Sequence, residues 1–153
     1  MPLDKNIIKR SFSEAALTYD SCSGLQREVS DELAERLRDL TARKEYACAA
    51  YAPGLEVPAG TENLILDIGC GTGRLIGSLG KSFPGAAVIG CDIALPMIFK
   101  ARENLRGRAL NLAASDCESL PFRDSTFDIA LSSLTYQWTD IRGSLSEAKR
   151  VLK

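Results

Sequence analysis

Three aspartates each close a short apolar run: Asp67 after Asn63-Leu64-Ile65-Leu66, Asp92 after Ala87-Val88-Ile89-Gly90-Cys91, and Asp116 after Leu110-Asn111-Leu112-Ala113-Ala114-Ser115. Beyond the first come three glycines at alternate positions, Gly69, Gly71 and Gly73, with Cys70 between the first two. Glycine has no Cβ, so backbone N–H groups in such a turn can approach a ligand closely. The segment from Arg74 through Leu79 reads as a helix whose free N–H groups face the turn, a setting that favours anionic or polar ligand groups. An acid about 20 residues past a glycine turn can take both hydroxyls of a ribose. The chemistry these spacings suit is the holding of a nucleotide-like cofactor.

The spacing narrows that cofactor. A dinucleotide fingerprint needs a third glycine five positions after the first. Counted from Gly69 that position is Arg74, and from Gly71 it is Ile76, so both frames fail. A P-loop needs Gly-Lys followed by Ser or Thr, which the turn lacks. What remains is acid-x-Gly-x-Gly-x-Gly.

The elements that must position these residues alternate. Strands are expected at 64–68, 86–91, 109–114 and 127–132. Helices are expected after Arg74, near 95–105 with Pro96 in the first turn, and at about 142–151. Alternating strands and helices imply an α/β fold with a Rossmann-like, doubly wound parallel sheet, whose strand ends converge on one edge where ligands bind. Ahead of it, residues 4–20 read as one helix and 25–44 as a second, with Leu25, Val29, Leu33, Leu37 and Leu40 as its apolar stripe. Pro53, Gly54, Pro58 and Gly60 mark the loop into the first strand. The chain therefore divides into a helical lid over residues 1–52 and a cofactor-binding core over 53–153.

The glycine turn with its acids resembles the first motif of the class I S-adenosylmethionine-dependent methyltransferases. The run Asp116-Cys117-Glu118-Ser119-Leu120-Pro121-Phe122, followed by Phe127-Asp128-Ile129-Ala130-Leu131-Ser132, is similar to their third and fourth motifs. Within that class, Ile8-Lys9-Arg10-Ser11-Phe12-Ser13-Glu14-Ala15-Ala16-Leu17-Thr18-Tyr19-Asp20 and Leu134-Thr135-Tyr136-Gln137-Trp138 resemble the biotin-pathway malonyl-carrier-protein O-methyltransferases. Ubiquinone and trans-aconitate methyltransferases share much of the pattern.

The resemblance implies S-adenosyl-L-methionine, or S-adenosyl-L-homocysteine, at the turn, and a malonyl thioester as methyl acceptor. Asp67 would orient the turn and the cofactor's amino group, and Gly69, Cys70, Gly71 and Gly73 would admit its amino-acid part. Asp92 would take the ribose, with Ile93 and Met97 beside the adenine, whose edge Asp116 and Cys117 would read. Ser132 would lie near the methionine part, and Tyr19 could close over the cofactor. No residue is singled out as catalytic. Ala94 replaces the Ser that often caps the next helix in this group. The group also continues past the position of Lys153 into further strands, so a core short of its last strands is expected. The strand at 127–132 would then be an edge, covered by a second copy, by the helix at 142–151 or by a separate polypeptide. A non-catalytic cofactor-binding or assembly module is the reading of a different class.

Composition limits the alternatives. The chain has 153 residues, a net charge of −1, 45% hydrophobic residues and no histidine. Near-neutral charge argues against nucleic-acid binding. No apolar run is long enough to span a membrane. Five cysteines without a C-x-x-C pair suggest reduced thiols, a cytoplasmic protein and no structural metal. A carboxylate is already ionised at pH 7, so its methylation needs no general base, which suits a chain without histidine.

Overall fold

The computed structural model describes residues 4–41, 60–106 and 111–153. The expected boundary at 52/53, the start of the third strand and the end of the second helix lie outside these residues.

Helices α1 (Lys5–Ala15), α2 (Tyr19–Cys22) and α3 (Gly24–Thr41) come first. Then β1 (Asn63–Ile68), α4 (Arg74–Ser82), β2 (Ala86–Asp92), α5 (Leu95–Asn104) and β3 (Asn111–Ala114) alternate. The last elements are β4 (Ile129–Ser132), a 3-10 turn (Tyr136–Trp138) and α6 (Ile141–Val151). The four strands form one parallel sheet in the order β3-β2-β1-β4. The chain moves outward from β1 to β3, then crosses back to place β4 on the other side of β1. That reversal opens a crevice at the carboxyl ends of β1 and β4.

Both faces of the sheet are covered. On one face Ile65, Val88, Ile129 and Leu131 pack against Ala34 and Leu37 of α3 and Leu75 and Leu79 of α4. On the other, Leu64, Leu66, Ile68, Ile89 and Cys91 pack against Phe122, Phe127, Ala148 and Val151. Alternate residues of β1 thus serve opposite cores, and the strand is buried from Leu64 to Ile68.

Local chemistry fixes the helix ends. Asp4 caps α1 by accepting from the Asn6 N–H, and Asp140 caps α6 by accepting from Arg142 and Gly143. Lys149 and Arg150 occupy the last turn of α6, where cations complement the helix dipole. Ala94 makes no side-chain cap for α5, and Asp92 accepts from the Ala94 N–H instead, at 2.8 Å.

Two expectations change. The single helix expected over 4–20 breaks at residues 16–18. The turn carries Asp20 to the glycine loop, where its carboxylate accepts from Thr72 Oγ1 at 2.6 Å and Asn104 Nδ2 at 2.9 Å. A tertiary contact overrides helical periodicity there. Nor does α6 lie along the edge of β4. It packs on the sheet face, and the chain after it turns back so that the Lys153 N–H donates to Phe127 O at 3.0 Å.

Phe127 joins these parts. It is fully buried, meets Phe122 edge-on at 5.0 Å, and its backbone bridges to Leu152. Phe127→Ala is expected to cost about 3–5 kcal/mol. Urea denaturation followed by circular dichroism measures this, and a loss under 1 kcal/mol contradicts the packing described.

Candidate cofactor site

The glycine turn leaves β1 in a conformation that L-residues rarely adopt: φ is +75° at Gly69, +51° at Gly71 and +84° at Gly73. The three glycines serve different ends. A Cβ at Gly69 would lie 2.1 Å from Thr135 Oγ1, and one at Gly73 would lie 2.6 Å from Leu105 Cδ1. Both are close-packing positions. A Cβ at Gly71 would meet nothing within 4 Å, so this glycine faces open space. Gly71 borders both cavities described below, and its N–H donates to Asp92 Oδ2 at 3.0 Å.

Two cavities meet at this turn. The larger, about 640 Å³, lies between α2, α3 and α4, with Asp67, Gly69, Cys70 and Gly71 in its wall. The smaller, about 80 Å³, is lined by Asp92, Ile93, Met97, Asp116 and Cys117 from the sheet side and by Lys5, Ile8 and Phe12 from α1. Tyr19, Gly69, Gly71 and Ser133 line both. The fold thus gathers Asp67, Asp92 and Asp116 from three strand ends onto one edge.

Their surroundings differ. Asp67 is buried, its Oδ2 has no hydrogen-bond partner, and its pKa is pushed up to about 7 by burial and then by the charge of Asp92. Asp92 is also raised by burial, an effect opposed by the N–H groups of Ala94, Gly71 and Ile93. Asp116 is more open. Its Oδ1 accepts from the Glu118 N–H at 2.9 Å, and its Oδ2 pairs with Lys5 Nζ at 2.6 Å. Burial also raises the thiols, Cys91 to about 12 and Cys117 in the same direction, with the Cys117 thiol 3.4 Å from Ser144 Oγ. These thiols are protonated at neutral pH and behave as small buried residues. Among the described residues no cluster of His, Cys, Asp or Glu is arranged to hold a metal ion.

The remaining expected residues fall into place unevenly. Tyr19 stands where the two cavities join, its phenol pKa raised chiefly by burial. Gly73 lines neither cavity. Ser132 lines neither cavity; its hydroxyl donates to Ile68 O at 3.0 Å and ties β4 to β1. The next residues, Ser133, Leu134 and Thr135, line the smaller cavity, and Leu134 takes φ +54° there. The rule that ligands bind beyond the carboxyl ends of strands points to the residues after β4, not to its last one. Lys5 and Asn104 carried no motif and Asp20, the last residue of the Ile8–Asp20 stretch, was given no role; only the tertiary fold brings the three to the site.

A Rossmann-like sheet with a glycine turn at its switch point and acids on three successive strand ends defines a domain that holds a nucleoside-type cofactor. Residues 66–153 match the family model described as a methyltransferase domain, and the chain belongs to that family. It is 35% identical to the malonyl-acyl-carrier-protein O-methyltransferase of Geobacter sulfurreducens, a match covering 98% of this chain and 50% of that protein. The chain thus spans about half the length of the curated relatives it matches. A solved Methanococcus maripaludis protein shares the fold at TM-score 0.66 and 22% identity, over 92% of this chain and 59% of that one. A SAM-dependent methyltransferase of Aquifex aeolicus aligns at TM-score 0.54 and 25% identity, over 60% of this chain and 51% of that one.

The raised pKa of Asp67 has a measurable consequence. Its ordinary value is 3.8 and its value in the fold is about 7. Between those values the folded state holds a proton on Asp67 that the unfolded one has lost, so the stability this group contributes is full below about pH 4 and is lost as pH rises through 7. Asp92, raised in the same direction, adds to the slope. Asp67→Asn is expected to flatten this decline and to stabilise the ligand-free chain at pH 8 by about 2–4 kcal/mol. Denaturation midpoints from pH 4 to 8 measure it, and parallel curves for the two proteins contradict the burial argument.

Proposed function

We propose that this chain forms the cofactor-binding part of an S-adenosyl-L-methionine-dependent methyltransferase. Its acceptor is the free carboxylate of a malonyl thioester on acyl carrier protein or coenzyme A. The observation that carries the reading is the buried, partnerless Oδ2 of Asp67 beside the open face of Gly71. A carboxylate held without a partner at a cavity wall suits a cationic group, and the cofactor's amino-acid part has one. Asp92 accepts from Gly71 and Ala94, with the Ile93 N–H also facing it, and keeps a lone pair for a ribose hydroxyl. Asp116 lines the smaller cavity, and its carboxylate has lone pairs beyond those taken by the Glu118 N–H and Lys5 with which to accept from an exocyclic amine.

When bound, the cofactor supplies an electrophilic methyl group. The chain's own task is placement. The residues common to both cavities, Tyr19, Gly69, Gly71 and Ser133, mark where the amino-acid and nucleoside parts join, so an acceptor must reach that point. In-line attack needs alignment more than proton transfer, and an ionised carboxylate has no proton to lose. The absence of histidine agrees with such an acceptor. The name of the Geobacter sulfurreducens relative supports the malonyl thioester over quinone-type or aconitate-type acceptors. The proposal extends to a division into lid and core, and to a cytoplasmic setting. No described helix is long and apolar enough to cross a membrane. A second copy joined through the β4 edge is the proposed oligomer, with no nucleic-acid partner.

Asp92→Ala removes a charge-assisted hydrogen bond worth about 1.5–3 kcal/mol, a loss of roughly 10- to 150-fold in affinity. Calorimetric titration with S-adenosyl-L-homocysteine measures it, and an unchanged Kd removes the ribose assignment. Radiolabelled methyl transfer to malonyl-carrier protein, malonyl-CoA and quinone precursors tests the acceptor. Label on a quinone precursor alone overturns the malonyl reading.

A further inference from the structure

Helix α1 walls the smaller cavity but is thinly attached to the core. None of its residues is buried. Its polar link to the sheet edge is Lys5, whose Nζ lies 2.6 Å from both Asp116 Oδ2 and Glu118 Oε2. Its main apolar link is Phe12, set edge-on to Trp138 at 5.8 Å, near Tyr19 at 6.3 Å and packed on the buried cluster of Ala16, Ala94 and Met97 that anchors the turn at the helix end. The elements after it are fastened differently. Asp20 of α2 is bound to Thr72 and Asn104, and Asp31 of α3 to Arg74 and Ser78. Between α1 and α2 the chain turns at residues 16–18, where Leu17 is 86% exposed. Lys5 therefore sits at the far end of a helix about 16 Å long, measured from that turn.

Lys5, Ile8 and Phe12 share one face of α1 and close the cavity that holds Asp92, Ile93, Met97 and Asp116. At about 80 Å³ it is far below the roughly 300 Å³ at which small-molecule sites begin. A nucleoside needs this cavity to widen, and α1, with no buried residue, is its least firmly fastened wall. A helix with no buried residue opens at low cost, and α2 stays tied to the glycine turn while it does.

The geometry points to Lys5 as the latch of a gate. α1 pivots about residues 16–18, and parting of the Lys5 ammonium from Asp116 and Glu118 is the step that lets cofactor in and out. This rests on the cofactor reading of the site given above. Lys5 touches no reacting atom, so it is a positioning residue. The ion pairs are partly open to solvent, with side-chain exposures of 43% for Lys5, 29% for Asp116 and 17% for Glu118, so salt weakens them.

The test compares wild type, Lys5→Met and Lys5→Arg at 50 mM and 500 mM NaCl. One arm measures S-adenosyl-L-homocysteine dissociation by stopped-flow chase. The other measures acrylamide quenching of Trp138, the only tryptophan, without ligand. In wild type, salt is expected to speed dissociation and expose Trp138. Lys5→Met is expected to dissociate about three- to tenfold faster at low salt, to show a more quenchable Trp138, and to lose the salt response in both arms. Lys5→Arg is expected to stay within about twofold of wild type and keep the salt response. Wild-type quenching in Lys5→Met overturns the latch whatever the ligand does. Altered quenching with unchanged dissociation overturns the gating role. Failure of wild type to bind S-adenosyl-L-homocysteine overturns the cofactor reading, and with it the role of the latch in cofactor exchange.

Discussion

One oxygen of the buried acid at the end of the central strand has no partner inside the fold. Asp67 is enclosed by the sheet, by the glycine turn and by the loop after β4, and its second oxygen accepts nothing. Burying an acid this way is costly, and the folded chain lowers the cost by keeping the proton on it to about pH 7. The arrangement makes sense for a group whose partner arrives from outside. Much of the site is arranged around that acid. The positive φ angles of Gly69, Gly71 and Gly73 bend the backbone back across the strand end. The Cys91 carbonyl accepts from both Gly69 and Cys70, which locks the turn to the neighbouring strand.

The sheet order explains why the site lies there. With β1 between β2 and β4, the connections after β1 and β4 part in opposite directions and leave a crevice. The glycine turn enters it from one side and residues 133–135 from the other, meeting where a Cβ on Gly69 would strike Thr135. Leu134 holds a left-handed conformation at this crossing, a strain of the kind found where a loop is forced over a ligand site. Helices α1, α2 and α3 complete the wall through contacts of unequal strength, firm at α2 and α3 and slight at α1.

The core of the fold was legible because period and punctuation agree. Apolar runs ending in Asp67 and Asp92, a glycine turn and Pro96 each gave an element that the structure contains. The helix expected over 4–20 was not, because its break depends on Asp20 reaching Thr72, 52 positions away, which no local pattern encodes. The gathering of the three acids at one edge was legible for the same reason as the sheet. The acids that end strands must converge in a parallel α/β fold, and Asp67, Asp92 and Asp116 do. Ser132 shows the limit: the sequence marks the strand, but which of two adjacent serines faces the cavity depends on the pleat. Lys5 shows a further limit, since a lysine on an amphipathic helix looks like a solvated charge until its carboxylate partners are placed.

The claim that Asp67 waits for a cation is tested most directly by proton release. Calorimetric titration with S-adenosyl-L-homocysteine at pH 6, repeated in buffers of different ionisation enthalpy, counts the protons exchanged on binding. If the ligand's ammonium meets Asp67, the carboxyl must ionise. Close to one proton should then leave at pH 6, and the number should fall towards zero by pH 8.5, where Asp67 is already ionised. Binding heats that do not depend on the buffer at pH 6 would contradict the account.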